Sequence, residues 1–400
     1  MTETLFGLPL KVRFCTKCVI SNQRPRSTVE FQNSILDKKE TIEFDSHGVC
    51  EACRFHEIKE TGINWELREK ELMALCDKYR RPTGYDVVVP GSGGKDSAYT
   101  SHILKEKYGM NPLTVTWAPH LYTEIGWENF TNWIQVGGLD NILFTPNGKL
   151  HRYLTKEAFS NLLHPFQPFI TGQRIIGPLI AKKFGIKLVM YGENQAEYGN
   201  AVEENLSPVM QTKFFSTDKS TDIRLGGKKI SEHLRNTNFT IKDFEPYLPL
   251  QLGESKIAEV HYLGYYLKWD PQECFYYAVE NTGFKPNTIR TEGTYSKYSS
   301  IDDKIDPFHY YTTYIKFGLG RASYDAAQEV RNKKITREEA VSLVKQFDSE
   351  FPSLYFQEFL DYLSISKNEF EVKVNENRSP HLWSQSSDSV WQLQHAVWID

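Results

Sequence analysis

The 400-residue sequence has no long hydrophobic run and almost no net charge. No stretch approaches the roughly 18 consecutive apolar residues that a membrane-spanning helix needs, and the first residues, MTETLFGLPLKVRFC, lack a basic segment followed by an apolar one. We therefore expect a cytoplasmic protein. A formal net charge of −4 provides no overall basic field that would attract nucleic acid, although a local basic patch is compatible with such a total.

Cysteine is also scarce, and most of the cysteines lie in two C-x-x-C motifs. Of six cysteines, four form two C-x-x-C pairs separated by 31 residues: Cys15 and Cys18, then Cys50 and Cys53. In a reducing compartment this spacing favours a metal site over disulfides. Four thiolates can surround one Zn²⁺ in the closed arrangement of structural sites, which leaves no position open for catalysis. We predict a zinc ribbon over residues 1–62 that serves stability or docking; the alternative is four unrelated cysteines.

Strand and helix patterns alternate from YDVVVP at residue 85 to KLVMYGEN at residue 194. The strands are short and apolar on both faces, which is typical of a doubly wound parallel α/β sheet. Ligands bind such a sheet beyond the carboxyl ends of its strands. We assign this domain to residues 63–335, with a substrate-facing insertion at about 200–310 where the alternation is lost. A helical segment and tail follow at 336–400, and Thr336 with Glu339 predicts a capping box at the helix start.

The loop in VVVPGSGGKDSAY joins a predicted strand to a predicted helix. Backbone N–H groups and a helix N-terminus converge there, which makes an anion site. The phosphate-loop pattern G-x-x-x-x-G-K-[ST] fails because Val89 replaces its first glycine and Asp96 follows the lysine. The dinucleotide pattern fails because Asp96 replaces its last glycine. We expect glycines that allow close approach, hydroxyls that donate to phosphate, a cation, and a carboxylate for Mg²⁺: Gly91, Gly93 and Gly94; Ser92 and Ser97; Lys95; and Asp96.

The residues S-G-G-K-D-S closely resemble the signature of the PP-loop superfamily, the N-type ATP pyrophosphatases. The resemblance implies that the loop holds the pyrophosphate of ATP while a substrate oxygen attacks the α-phosphate. Lys95 and Asp96 would then be catalytic, and the reaction would be adenylation. The alternative is a tight strand-to-helix turn without a ligand.

A wider resemblance covers most of the chain. The segments CTKCVISNQRPR, FDSHGVCEAC, HPFQPFITGQRIIGPLIAKKFGI, YGENQAEYG and KFGLGRASYDAAQEVRNKKITREEA are similar to the N-acetyl sugar amidotransferases of the WbpG and PseA type. This implies an adenine-nucleotide α-hydrolase-like sheet, with ATP, Mg²⁺ and Zn²⁺ as cofactors. It also implies conversion of the acetamido group of a nucleotide-linked sugar to an acetamidino group, for O-antigen, capsule or flagellin-glycan precursors such as those of pseudaminic acid.

The source of ammonia is not evident in the sequence. Thr2 stands where an N-terminal-nucleophile glutaminase has its cysteine. The resemblance implies a separate glutaminase subunit similar to that of histidine biosynthesis, with or without a cyclase-like companion.

Two other functions remain open. An ATP-dependent tRNA-thiolating enzyme needs a route for sulfur, and outside the paired cysteines only Cys76 and Cys274 are left, which we expect to pack in the interior. The acidic net charge also does not favour a tRNA-sized partner. A zinc-ribbon adaptor without enzymatic activity is the third reading.

Further candidates lie at predicted strand ends. Trp117 follows a strand and could stack on adenine or pack in the core. Glu193 and Asn194 end another strand, where they could hold Mg²⁺ or substrate, or form an ordinary turn. Arg174 begins a predicted helix and could face phosphate or solvent.

Two basic residues flank a pair of glycines in KFGLGRASYD. Lys316 and Arg321 could neutralise pyrophosphate or the phosphates of a sugar nucleotide. Single histidines such as His120 and His164 are more often structural than catalytic.

Overall fold

The computed structural model describes residues 4–193, 199–203, 206–218, 223–256 and 258–399. The strands are β1 Val87–Pro90, β2 Pro112–Trp117, β3 Asp140–Phe144, β4 Leu188–Tyr191, β5 Arg224–Leu225, β6 Lys228–Lys229, β7 Glu259–Tyr262, β8 Trp383–Gln385 and β9 Trp391–Leu393. The helices are α1 Glu51–Thr61, α2 Trp65–Tyr79, α3 Lys95–Glu106, α4 Glu124–Gln135, α5 Gly148–Leu162, α6 Gln167–Phe184, α7 Ile230–Asn236, α8 Ile241–Phe244, α9 Leu263–Tyr266, α10 Pro271–Thr282, α11 Asp306–Phe317, α12 Arg321–Arg331, α13 Arg337–Phe347, α14 Phe356–Leu363 and α15 Lys367–Glu376.

Five parallel strands form the central sheet in the order β3-β2-β1-β4-β7. Val87 in β1 pairs with Pro112 on one side and with Leu188 on the other. The chain therefore builds outward from β1 in one direction and then, from β4, in the other. Such a reversal of strand order opens a crevice at the carboxyl ends of the central strands. The predicted doubly wound parallel α/β sheet is confirmed.

Both faces of the sheet are covered, which explains the continuous apolar strands. Val87 and Val89 pack with Leu72 of α2 and Leu104 of α3. Val88 points the other way, into the largest core cluster, which includes Ile175 and Ile176 of α6. Because successive residues of a strand face opposite sides, a strand buried on both sides needs apolar residues throughout.

The strand β7 lies inside the segment where the sequence analysis identified no strand. It has four residues, EVHY, of which Glu259 is partly exposed and His261 is buried. It is the last strand of the five-stranded order, next to β4, and its other edge pairs with residues 208–210, since Met210 N donates to the carbonyl of Val260 at 2.8 Å. A short strand with polar side chains does not produce the apolar pattern that identified the other four.

The ends of the chain pack on the sheet domain. The predicted capping box is present, because Glu339 N donates to Thr336 Oγ1 at 3.2 Å and Thr336 N donates to Glu339 Oε2 at 2.7 Å. Trp383 donates from Nε1 to the carbonyl of Ile315 at 2.8 Å, which anchors the tail. Within the described ranges, no helix is both long and apolar enough to cross a membrane.

Candidate functional site

The loop from Gly91 to Gly94 connects β1 to α3 at the point where the strand order reverses. Gly94 is the N-cap of α3, so the first N–H groups of the helix face the crevice. A Cβ at Gly91 would lie 2.1 Å from Cβ of Ser97, which leaves no space for a side chain. The N-terminal N–H groups of α3 and the positive end of its dipole give this loop the features of an anion site, and phosphate binding there stays a prediction.

Lys95 and Asp96 form an ion pair at the start of α3. Lys95 Nζ lies 2.6 Å from Asp96 Oδ2, and Lys95 is only 9% exposed. Burial alone would lower the pKa of Lys95, but the carboxylates of Asp96 and Glu193 outweigh burial and raise it. Lys95 therefore keeps its charge at physiological pH. The other oxygen of Asp96, Oδ1, is buried and has no hydrogen-bond partner among the described residues, so it fits a Mg²⁺ ligand.

Three cavities open around the loop. The nucleotide cavity, about 300 Å³, lies over the strand ends and is lined by Pro90, Gly91, Ser92, Gly94, Asp96, Ser97, Val115, Trp117, Gln173, Arg174, Ile176, Tyr191, Gly192, Glu193, Met210 and Tyr262. The phosphate cavity, about 170 Å³, is lined by Ser92, Gly93, Gly94, Lys95, Asp96, Gly126, Asn129, Phe284, residues 298–302 and Arg321. The third cavity, which we call the large chamber, has a volume of about 560 Å³ and extends from Lys95 and Asp96 toward α11, α12 and the N-terminal segment.

Asp96 lines all three cavities. Arg174 and Glu193 line both the nucleotide cavity and the large chamber, while Lys95 and Arg321 line both the phosphate cavity and the large chamber. The structure thus brings most of the predicted site residues around a single carboxylate. Asn194 lies outside the described residues.

Two predicted residues lie at the periphery of this arrangement. Trp117 is 2% exposed and packs against Phe144 and Tyr247, so only part of it reaches the nucleotide cavity. Of the three cavities, Lys316 lines only the large chamber, and its Nζ donates to the carbonyl of Leu162 at 3.0 Å. Burial, with a contribution from Lys39, lowers the pKa of Lys316 to about 7.

The sequence analysis missed one side of the phosphate cavity. Residues 298–302 line it, ending at Asp302. Burial raises the pKa of Asp302, although a hydrogen bond with Ser92 opposes the shift. Burial also raises the pKa of the neighbouring Asp306 to about 7, against the effect of Arg321. Residues 298–302 lie in an irregular segment with no motif, so only the fold brings them to the loop.

The four paired cysteines converge as predicted. Their sulfur atoms all lie within 4.8 Å of one another, and all four residues are buried. Cys15 Sγ is 3.9 Å from Cys53 Sγ, and Cys18 Sγ is 3.8 Å from Cys50 Sγ. Zn–S bonds of about 2.3 Å in a tetrahedron place the sulfur atoms about 3.8 Å apart. The cluster therefore fits a structural Zn²⁺.

We expect Gly93→Ala to destabilise the protein and Gly94→Ala to leave its stability nearly unchanged. Gly93 has φ +85°, and a Cβ there would lie 2.8 Å from the backbone Cα of Phe130. The left-handed conformation alone costs about 1–2 kcal/mol for other residues. Gly94 has φ −66°, and its Cβ would meet nothing closer than Ser92 Oγ at 3.7 Å. Urea unfolding of both variants measures the difference, and equal stabilities would contradict this account of the loop.

The sheet order β3-β2-β1-β4-β7 and the loop after β1 are consistent with the resemblance to the PP-loop class that the sequence shows. The C-terminal part can be assigned further: residues 292–397, about a quarter of the chain, match the family model described as "LPS biosynthesis protein WbpG-like, C-terminal domain". This match confirms the resemblance of that region to WbpG-like proteins. It includes α11, α12 and α13 and therefore part of the wall of the large chamber.

Comparison with other proteins adds little to this assignment. No curated protein matches the chain. A solved structure of NH3-dependent NAD synthetase from Campylobacter jejuni aligns with 15% identity and a TM-score of 0.28 over 36% of this chain, which spans 65% of that structure. NMN synthetase from Francisella tularensis aligns with 11% identity and a TM-score of 0.26 over 82% of this chain and 99% of that one. Because both TM-scores are low, neither likeness bears on the chemistry of this chain.

Proposed function

We propose that this protein is an ATP-dependent amidotransferase that converts the acetamido group of a nucleotide-linked sugar to an acetamidino group. One observation carries the proposal: Asp96, in a loop that fits pyrophosphate, borders the nucleotide cavity, the phosphate cavity and the large chamber. ATP in the first two cavities would have its α-phosphate beside the third. An acceptor in the large chamber could then reach the α-phosphorus. The WbpG-like match of residues 292–397 supports a sugar acceptor.

In the first step the amide oxygen of the acceptor bonds to the α-phosphorus, and the bond from this phosphorus to the bridging oxygen of pyrophosphate breaks. The leaving pyrophosphate takes up the amide N–H proton, which gives an imidoyl adenylate whose imidate group is uncharged. Pyrophosphate would leave within the phosphate cavity, where the α3 N-terminus, Lys95 and Arg321 stabilise its charge. A Mg²⁺ ion held through Asp96 Oδ1 would supply further neutralisation of phosphate charge.

In the second step ammonia bonds to the imidoyl carbon, and the carbon–oxygen bond to AMP breaks. The product is an amidine, which takes up a proton to become amidinium. Arg174 is placed to hold the α-phosphate throughout, because it lines both the nucleotide cavity and the large chamber and its Nη1 is buried without a hydrogen-bond partner among the described residues. A separate glutaminase subunit as the ammonia source is part of the proposal.

The environment of Cys76 and Cys274, the two cysteines outside the C-x-x-C motifs, favours amidation over thiolation. Cys274 is near the loop but only 2% exposed. Burial raises the pKa of its thiol well above the usual value, and the carboxylate of Asp96 raises it further. Burial raises the pKa of Cys76 in α2 to about 11. Sulfur transfer through a persulfide on this chain needs an accessible thiolate, and neither cysteine provides one.

The proposal is tested by incubating the protein with ATP, Mg²⁺, ammonium and a panel of N-acetylated sugar nucleotides. We expect AMP, pyrophosphate and an amidine product by mass spectrometry. An acceptor whose acetamido oxygen carries a heavy isotope should transfer that oxygen to AMP, because the carbon–oxygen bond breaks in the second step. Absence of AMP and amidine across the panel contradicts the proposal, and ATP-dependent sulfur incorporation into tRNA would replace it with thiolation.

A further inference from the structure

The segment between the two cysteine pairs forms one wall of the large chamber. The residues of this segment that line it are Arg24 to Thr28, Glu30, Asn33 to Ile35, Asp37 and Lys39. The segment leaves the first pair and returns to the second as an antiparallel hairpin: Ile42 N donates to the carbonyl of Arg24 at 2.9 Å, and Arg26 N donates to that of Glu40 at 2.9 Å. Four thiolates bound to one Zn²⁺ would therefore close the base of the loop that forms the wall.

The far end of this loop contacts the sheet domain. Glu30 accepts from Gln167 Nε2 through its backbone carbonyl at 2.7 Å, and its carboxylate lies 3.5 Å from His164 Nε2. The wall is thus held at both ends, by the cysteine cluster and by the start of α6. Closing a long loop with a metal restricts the chain that it encloses, so the position of the wall depends on the metal site.

Helix α12 joins the cysteine cluster to the same chamber. Ala326 and Ala327 pack in one apolar cluster with the four cysteines and with Ala340 and Val344 of α13. Other residues of α12, namely Arg321, Tyr324, Asp325, Gln328 and Glu329, line the large chamber. Arg337 at the start of α13 completes the connection by donating to the carbonyls of Cys18, at 3.2 Å, and Cys15, at 3.4 Å.

The chamber has the polar lining of a ligand site. Several of its residues carry buried polar atoms that have no hydrogen-bond partner in the part of the chain that the structure describes, and they include Arg174 Nη1 on α6, His309 Nδ1 on α11 and Gln328 Nε2 on α12. Buried polar atoms are normally paired, so orphaned ones on three separate helices indicate a polar ligand or ordered water. The aromatic rings of Tyr298, Tyr310 and Tyr324 lie beside them. With about 560 Å³, the chamber is nearly twice as large as the nucleotide cavity of about 300 Å³.

We propose that the loop between the cysteine pairs, closed by Zn²⁺ and fixed to α13 by Arg337, forms the acceptor-binding wall, so that the metal site controls acceptor affinity and not ATP affinity. The proposal rests on the proposed function for the identity of the acceptor. Arg337 is a positioning residue, since it contacts the cysteine pairs and not the chamber. No residue of the loop between the cysteine pairs lines the nucleotide cavity. A displacement of this loop should therefore change acceptor affinity without changing ATP affinity.

The experiment measures two affinities by calorimetry in zinc-loaded protein. The first is that of α,β-methylene-ATP with Mg²⁺. The second, with that analogue saturating, is that of two acceptor probes, uridine diphosphate N-acetylglucosamine and cytidine monophosphate N-acetylneuraminate. In Arg337→Met we expect acceptor affinity to fall at least about fivefold, the loss expected for missing hydrogen bonds, with ATP-analogue affinity and zinc content unchanged. Arg337→Lys should recover part of the loss, because an ammonium replaces only part of the guanidinium fork.

A second pair of variants tests the chamber directly. Gln328→Leu removes the buried Nε2 atom that has no hydrogen-bond partner among the described residues, so the variant should fold and should weaken acceptor binding about fivefold. Gln357→Leu makes the same change at an exposed position of α14 that lines none of the three cavities, and it should leave both affinities unchanged.

Three results would overturn the proposal: no probe binds alongside the ATP analogue, Arg337→Met lowers both affinities equally, or it lowers neither. The outcome is separable from that of the proposed function. Probe binding that depends on Arg337, without amidine formation, would support the acceptor-binding wall and contradict the amidotransferase function. Amidine formation that Arg337→Met does not affect would support the amidotransferase function and contradict the acceptor-binding wall.

Discussion

Replacing Lys95 with methionine is expected to lower the rate of AMP formation by a factor of about 10²–10³, the usual loss when one preorganised electrostatic group is removed from an active site. The Lys95 ammonium is buried, and its raised pKa keeps it charged at the position where we propose that the pyrophosphate charge develops. Methionine keeps a similar length and volume without the charge. Since the Asp96 side chain is 33% exposed, its carboxylate can be hydrated after the pair is lost, and we expect the variant to fold.

The effect is measured as AMP release with the acceptor found in the substrate panel, and as the affinity for inorganic pyrophosphate with Mg²⁺, which needs no acceptor. Lys105→Met on the same helix is the matched control, because Lys105 donates to the carbonyl of Gly138 and lines none of the three cavities. Circular dichroism checks the fold of both variants. A folded Lys95→Met protein with unchanged pyrophosphate affinity and turnover would show that the loop does not act on phosphate, and the adaptor reading would take its place.

Replacing Cys50 with serine is expected to reduce bound zinc from about one ion per chain to almost none and to lower stability strongly. Structural zinc sites contribute metal-binding free energies on the order of 10 kcal/mol in isolated peptides. Here the site also joins the N-terminal segment to α12 and α13, since the cysteines share a core with Ala326 and Ala340. We therefore expect the loss to reach the C-terminal helices as well as the segment itself.

Metal analysis and hydrogen exchange measure the two parts of this prediction. The exchange experiment should show faster exchange in α1, α12 and α13, and little change in β1 and β2. Cys76→Ala is the control, because Cys76 is equally buried but lies in a different core cluster with Leu72 and Val87. Full zinc occupancy in Cys50→Ser would mean that these cysteines are not the ligands. Unchanged exchange in α12 and α13 would mean that the cluster does not stabilise the C-terminal helices.

Local patterns were sufficient where a function depends on neighbouring residues. The residues S-G-G-K-D-S occupy a strand–loop–helix unit, and the structure places β1 and α3 on either side of them. The two C-x-x-C pairs likewise predicted a metal site locally, since each pair places two thiols together through one tight turn. The chain then has only to bring the second pair close to the first. Thr336 and Glu339 were recognisable because a capping box joins residues three apart.

Residues that the fold brings together from distant positions gave no such signal. The strand β7 pairs with β4, far away in the sequence, and its four residues have no apolar pattern. Residues 298–302 meet the loop after about 200 intervening residues, in a segment without regular structure. His164 was expected to be structural. The sequence did not predict its contact with Glu30, because that contact depends on how the loop between the cysteine pairs packs on the sheet domain.

The sequence by itself determined the parallel α/β sheet, the glycine-rich loop after its first strand, and the cysteine cluster, because each of these depends on spacing within a few residues or on the alternation of strands and helices. Only the tertiary structure decided that Asp96 borders three cavities, that Arg174 and Arg321 approach it from different helices, and that the loop between the cysteine pairs forms the wall of the large chamber. The physical reason is that a cavity is bounded by side chains from elements that pack together. That packing depends on the burial of apolar faces over the whole chain, which no local pattern encodes.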